Sequence, residues 1–144
     1  MQKGSCLCSS IRYQINGEVS EFGYCHCKSC RKASGSAHGA NIGVERKNLY
    51  LDDPDRNMKE YESSPGKLRA FCGNCGSPIY AYLRSNPDVV RIRLGTLDTE
   101  LGKTAKAHTF VRDKADWDVI EGSLPVFDEW ADKEVLVQMG SRQS

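Results

Sequence analysis

The chain has no apolar run long enough to cross a bilayer, which excludes a helical membrane span. It has no apolar stretch behind Met1-Gln2-Lys3, so no secretory signal is expected and the default compartment is the cytosol. Neither sign of charge is in excess: 20 Lys and Arg stand against 19 Asp and Glu, interspersed rather than gathered into a basic stripe or an acidic tail. Nucleic acid and membrane surfaces are therefore not expected partners. Repeats, low-complexity tracts and evident linkers are also missing. One domain is expected over residues 1–131, followed by a tail, 132–144, that carries little signal.

Long helical periodicity is scarce, and short pieces are expected only near Ser29–Ala33 and Thr99–Lys103. Strand signals recur instead. Ile11, Tyr13 and Ile15 alternate with polar residues, and Asn16-Gly17 predicts a hairpin returning over Val19–Cys27. Ala40–Val44, Leu49–Leu51, Leu68–Cys72, Pro78–Leu83, Val89–Leu94, His108–Val111 and Trp117–Ile120 are further candidates. Turn signals lie at Asp52-Asp53-Pro54-Asp55 and Asn86-Pro87-Asp88. Many short strands between turn residues predict an all-β domain.

What the chain does have is seven cysteines, an odd number that suits a disulfide framework poorly. In a reducing compartment they read as metal ligands or reactive groups. They form three clusters: Cys6-Leu7-Cys8, Cys25-His26-Cys27-Lys28-Ser29-Cys30, and Cys72-Gly73-Asn74-Cys75-Gly76. The last is a C-x-x-C knuckle, where glycine eases the turn that lets two sulfurs converge. The middle cluster offers three sulfurs alone. On a strand Cys25 and Cys27 share a face, and a turn returns Cys30 to them. The economical division gives Cys6, Cys8, Cys72 and Cys75 to a structural zinc. Cys25, Cys27 and Cys30 then hold a second zinc with one open position, the pattern of a catalytic site. Two alternatives stay open: a single zinc with the other cysteines buried or redox-active, and a Cys3His site closed by His26, His38 or His108. Of these, His26 should point away from its flanking cysteines.

Gly4-Ser5-Cys6-Leu7-Cys8 ahead of Ile11-Arg12-Tyr13 resembles the opening of the glutathione-dependent formaldehyde-activating enzyme family, which includes centromere protein V. The likeness continues through Cys25–Gly35, Phe71–Tyr80, Gly95-Thr96-Leu97-Asp98, His108 before Phe110-Val111, Trp117, and Leu124–Trp130. Ser9 stands where the family usually has glycine, and Thr99 where a second acidic residue is common. The resemblance implies a β-tent fold, two zinc ions per chain divided as above, and a carbon–sulfur lyase of the S-(hydroxymethyl)glutathione synthase type.

The ligand chemistry points the same way. Three thiolates leave the zinc complex with a charge of about −1, which blunts its acidity toward water. A sulfur-rich site suits capture of another sulfur, so a small thiol such as glutathione is the expected partner, joined to or split from an aldehyde-like carbon. His108 is a candidate proton shuttle, since an unperturbed imidazole titrates near neutrality. Arg31 and Lys32 are candidates to attract a carboxylate, and Asp98 to orient a ligand. Two other classes are weighed beside the enzyme: a non-catalytic zinc-binding interaction module, and a thiol redox or metal-handling protein.

Overall fold

The computed structural model describes residues 1–139; residues 140–144, part of the expected tail, lie outside the described residues. Among the described residues the chain is mostly β. The strands are β1 (Gln2–Ser5), β2 (Arg12–Ile15), β3 (Tyr24–Cys25), β4 (Gly39–Glu45), β5 (Leu49–Asp52), β6 (Met58–Ser64), β7 (Lys67–Cys72), β8 (Pro78–Leu83), β9 (Asn86–Arg93) and β10 (His108–Thr109). Two short helices, α1 (Lys28–Ser34) and α2 (Lys133–Gln138), complete the set with three single 3-10 turns. The chain divides into two compact units, Met1–Val19 with Gly43–Gly102, and Ser20–Ile42 with Lys103–Ser144.

The first unit holds the antiparallel sheet β1-β2-β5 and the antiparallel meander β6-β7-β8-β9. Ile11, Tyr13 and Ile15 are buried as their alternation predicts, while Arg12 between them faces solvent. Gly4 has a packing reason. It pairs with Tyr13 across the strands, and a Cβ there would lie 2.2 Å from the Tyr13 ring. The Tyr13 hydroxyl reaches the Thr96 hydroxyl at 2.8 Å, and Gly4 bridges Leu97. The Gly95-Thr96-Leu97-Asp98 run thus clamps the edge of β1.

The second unit carries β10, β3 and the start of β4, residues 39–42, with β10 parallel and β4 antiparallel to β3. Ile42, Phe22, Ala37, Ala105 and Ala107 are buried within it. Val126 adds a bridge to His108 on the outer side of β10.

Several expectations are corrected. Asn16-Gly17 makes a turn, with Gly17 at φ 125°, but no strand returns along β2 from it; β1 and β5 occupy its two sides. Asn86-Pro87-Asp88 lies inside β9, where Asn86 pairs with Leu83. Thr99–Lys103 forms no helix and Trp117–Ile120 no strand. Trp117 and Val119 are exposed, so neither has the sheet burial that would reward strand pairing. The unexpected β6 is almost wholly exposed; Asp53 starts it by accepting the Asn57 and Met58 amides at 2.8 and 2.9 Å. Lys133–Gln138, within the expected tail, is helical.

Candidate metal centres

Each cysteine cluster gathers where the backbone leaves a regular element. In the first unit Cys6 follows β1, and Cys6-Leu7-Cys8-Ser9 bends back so that the Ser9 amide donates to the Cys6 carbonyl at 2.9 Å. Ser9 takes φ 62°, the left-handed region that glycine enters without strain. Cys72 ends β7, and Gly76 at φ 82° closes the knuckle by donating to the Cys72 carbonyl at 2.7 Å. Ser77 ties the two segments together: its hydroxyl oxygen accepts the Leu7 amide at 2.8 Å and lies 3.3 Å from the Cys75 sulfur.

The four sulfurs of Cys6, Cys8, Cys72 and Cys75 lie within 4.8 Å of one another. Cys6 to Cys8 is 3.6 Å and Cys8 to Cys72 is 3.8 Å. Zinc–sulfur bonds of about 2.3 Å in a tetrahedron place sulfurs about 3.8 Å apart, so the donor set and its spacing fit zinc. They do not fit a disulfide, whose sulfurs stand about 2 Å apart. Donors already face the sulfurs: the Ile11 amide meets Cys6 at 3.3 Å, the Cys75 amide meets Cys72 at 3.5 Å and the Asn74 side-chain amide meets Cys8 at 3.3 Å. Hydrogen bonds from Ser10 and Asn74 pull the Cys8 thiol down to about 7, and Ser77 brings Cys75 to about 5. Burial pushes Cys6 the other way.

The second unit builds its cluster at one strand–helix corner. Cys25 ends β3, Cys27 is the N-cap of α1, and Cys30 lies one turn into the helix. Their sulfurs also fall within 4.8 Å of one another, and no fourth Cys, His, Asp or Glu ligand atom joins them among the described residues. The Cys27 sulfur accepts the Cys30 amide at 3.3 Å, the service that Ser or Asp usually performs at a helix start. Hydrogen bonds from the Cys25 and Cys30 thiols, then from the Cys30 and Ser29 amides, drive Cys27 down to about 2. The same sharing pushes Cys25 up. Gly39, opposite Cys25, leaves room for Cys30: a Cβ there would sit 3.2 Å from the Cys30 Cβ.

The histidines stand on the other face. The register aligns His108 with Tyr24 and Thr109 with Cys25, so His108, Tyr24 and His26 share one side and Cys25 takes the opposite one. Ring contacts agree: His26 lies 5.1 Å from both His38 and His108, and Tyr24 stacks on His38 at 4.2 Å. His26 Nε2 and His108 Nδ1 share a hydrogen bond of 2.9 Å. Asp118 faces His26 Nδ1 at 3.9 Å, too long for a hydrogen bond, and among the described residues Nδ1 has no other partner. Burial pushes all three imidazoles below their ordinary range. The expectation that His26 turns from its flanking cysteines agrees with this arrangement. That His108, His38 and Asp118 turn away with it had no signal in sequence, because they lie on distant segments.

The remaining expected residues divide between the units. Arg31 and Lys32 fall on α1, whose C-terminal end favours cations. Lys32 is exposed; Arg31 is partly buried, with Nε lacking a hydrogen-bond partner among the described residues. Asp98 belongs to the first unit, where its carboxylate accepts the Ser5 hydroxyl at 2.7 Å and its amide donates to the Lys3 carbonyl at 2.8 Å.

A family model described as glutathione-dependent formaldehyde-activating enzyme matches residues 1–113. An uncharacterized lyase of Schizosaccharomyces pombe (strain 972 / ATCC 24843) is 31% identical over 78 residues, 54% of this chain and 55% of that protein. The chain thus matches about half the length of that relative. The fold is similar to the crystal structure of a Rhodobacter sphaeroides protein, 22% identical, with a TM-score of 0.58 over 74% of this chain and 99% of that one.

Proposed function

Because the chain belongs to the glutathione-dependent formaldehyde-activating enzyme family, we propose that it is a zinc-dependent carbon–sulfur lyase that joins a small thiol to an aldehyde carbon, or splits the adduct. Cys6, Cys8, Cys72 and Cys75 would hold a closed structural zinc, and Cys25, Cys27 and Cys30 a second zinc with an exchangeable position. Zinc in the second setting supplies a soft centre that favours a sulfur ligand in its thiolate form. The observation carrying this reading is the trio itself: three converging sulfurs with no fourth Cys, His, Asp or Glu ligand atom beside them among the described residues.

The chain's own groups have defined tasks. The Cys30 amide, fixed by α1, holds the Cys27 sulfur as thiolate. Arg31 and Lys32 offer positive charge one helical turn from the trio, suited to a substrate carboxylate. Overall, a sulfur–carbon bond forms, the carbonyl π bond breaks, and the thiol proton ends on the new hydroxyl oxygen. A shuttle through His108 would have to pass around β3, since the imidazole stands opposite Cys25; in this reading the proton exchanges with water. The cytosol, where thiols stay reduced, is the compartment that suits this chemistry. The β-tent arrangement implied by the resemblance is part of the same proposal.

The test is turnover. Zinc-loaded protein, formaldehyde and glutathione are mixed, and the S-hydroxymethyl adduct is followed by carbon-13 NMR exchange. Exchange faster than the uncatalysed reaction, lost in a folded Cys27→Ser variant, supports the lyase. Exchange no faster than buffer with formaldehyde and with larger aldehydes overturns it.

A further inference from the structure

The first unit carries an open cleft of about 930 Å³ over the sheet β1-β2-β5, separate in sequence and chemistry from the cysteine trio. Its size falls within the range of small-molecule sites. Strand register arranges its floor in two cross-strand rows. Ser5, Arg12 and Asp52 form one, and Lys3, Gln14 and Tyr50 the other. Asp98 stands at the β1 end of the first row, fixed by the Ser5 hydroxyl at 2.7 Å.

The charges here are unspent. Lys47–Glu45 and Arg84–Glu62 pair elsewhere in this unit; among the described residues no ion pair is seen for Lys3, Arg12, Asp52 or Asp98. Arg12 Nε donates to the Ser9 carbonyl at 3.3 Å, which orients the guanidinium and leaves its terminal nitrogens without a described partner. Along the first row the order is Asp98, Ser5, Arg12, Asp52, so Arg12 has a carboxylate on the adjoining strand, about 4.8 Å away, and a second one beyond the Ser5 hydroxyl. The cleft's two cations and two carboxylates cancel, so a polyanion gains no net attraction.

We propose that this cleft binds a small molecule through a free α-amino-acid headgroup, its carboxylate on Arg12 and its ammonium on a flanking aspartate. An α-amino acid carries both charges on one carbon, so side chains from neighbouring strands can reach the two together. Arg12 can grip the carboxylate with paired donors. Tyr50, half exposed, offers its ring face to an apolar side chain. A ligand with only one of the two charges would leave either the guanidinium or a carboxylate desolvated and unpaired.

The proposal does not rest on the lyase reading, and its test uses thiol-free probes. Nitrogen-15-labelled, zinc-loaded protein is titrated with L-norleucine, N-acetyl-norleucine and norleucinamide while amide shifts are followed. Norleucine should move the amides of Lys3, Arg12, Tyr50 and Asp98. Each blocked form, and norleucine on Arg12→Gln or Asp98→Asn, should bind at least about tenfold more weakly, as loss of a charge-assisted hydrogen bond implies. The variants' own spectra establish that they are folded. No shift with norleucine, shifts confined to other regions, or equal binding of the blocked forms overturns the proposal, and none of these bears on turnover at the cysteine trio.

Discussion

The two cysteine clusters use the same ligand atom in opposite constructions. The four-sulfur cluster joins segments 64 residues apart at the Cys8–Cys72 contact, so an ion there would cross-link distant parts of the first unit. The three-sulfur cluster comes from a single corner, Cys25 to Cys30, whose geometry is already set by β3, α1 and the Cys27 cap. A ligand set drawn from distant segments turns metal binding into folding energy. A set drawn from one preformed corner has little folding left to drive, and its ion is available for exchange. On the proposed reading, the span of chain a metal would close, as well as its ligand count, distinguishes the structural site from the working one.

The largest effect expected from this contrast is on Cys72→Ser. It should release the first ion and lower stability by several kcal/mol, read as zinc content and denaturant midpoint. Cys27→Ser should leave the midpoint close to the parent while turnover disappears. Equal loss of stability in the two variants would break the comparison.

Next in size is Gly4→Ala. The methyl would meet the Tyr13 ring and the Thr96 carbonyl, at 2.2 and 2.6 Å. Overpacking of this kind costs about 1–3 kcal/mol, and because β1 leads into Cys6 it should also speed zinc release from the closed site alone. A chelator competition resolving two release rates checks it.

The histidine face supplies a pH test of the second unit. His38 and His108 are held below their ordinary range by burial. Above about pH 6.5 neither the folded nor the unfolded chain is protonated at these sites, and they contribute nothing. As pH falls below that value the unfolded chain takes up protons that the folded chain resists, so stability declines by up to about 1.4 kcal/mol per pH unit per proton. Unfolding midpoints between pH 7 and 5 should fall, and His108→Gln should flatten the slope. Tyr13→Phe gives the smallest change, about 1 kcal/mol, because Thr96 keeps its bond to the Arg93 carbonyl at 2.8 Å.

How much of this was legible in the sequence follows from range. Ile11, Tyr13 and Ile15 announced β2 because burial and alternation are local properties. The cysteine groupings were legible because spacing inside each cluster limits what its sulfurs can reach. Asn16-Gly17 misled because a turn signal states that the chain bends and not which strand receives it; β5 took the partner's place. β6 was silent because an exposed edge strand needs no apolar alternation; Tyr82 and Arg84 anchor it instead through Glu60 and Glu62. The imidazole cluster and the charged rows over β1-β2-β5 arise only from strand register, which no single segment encodes.

The claim that one cluster is closed and the other open is tested most directly by substituting cobalt for zinc and adding glutathione. A change in the cobalt absorption bands worth one of two sites, absent in Cys27→Ser and retained when the chain is otherwise intact, is the expected result. Bands from both sites that ignore the thiol, or a change that survives Cys27→Ser, would contradict it.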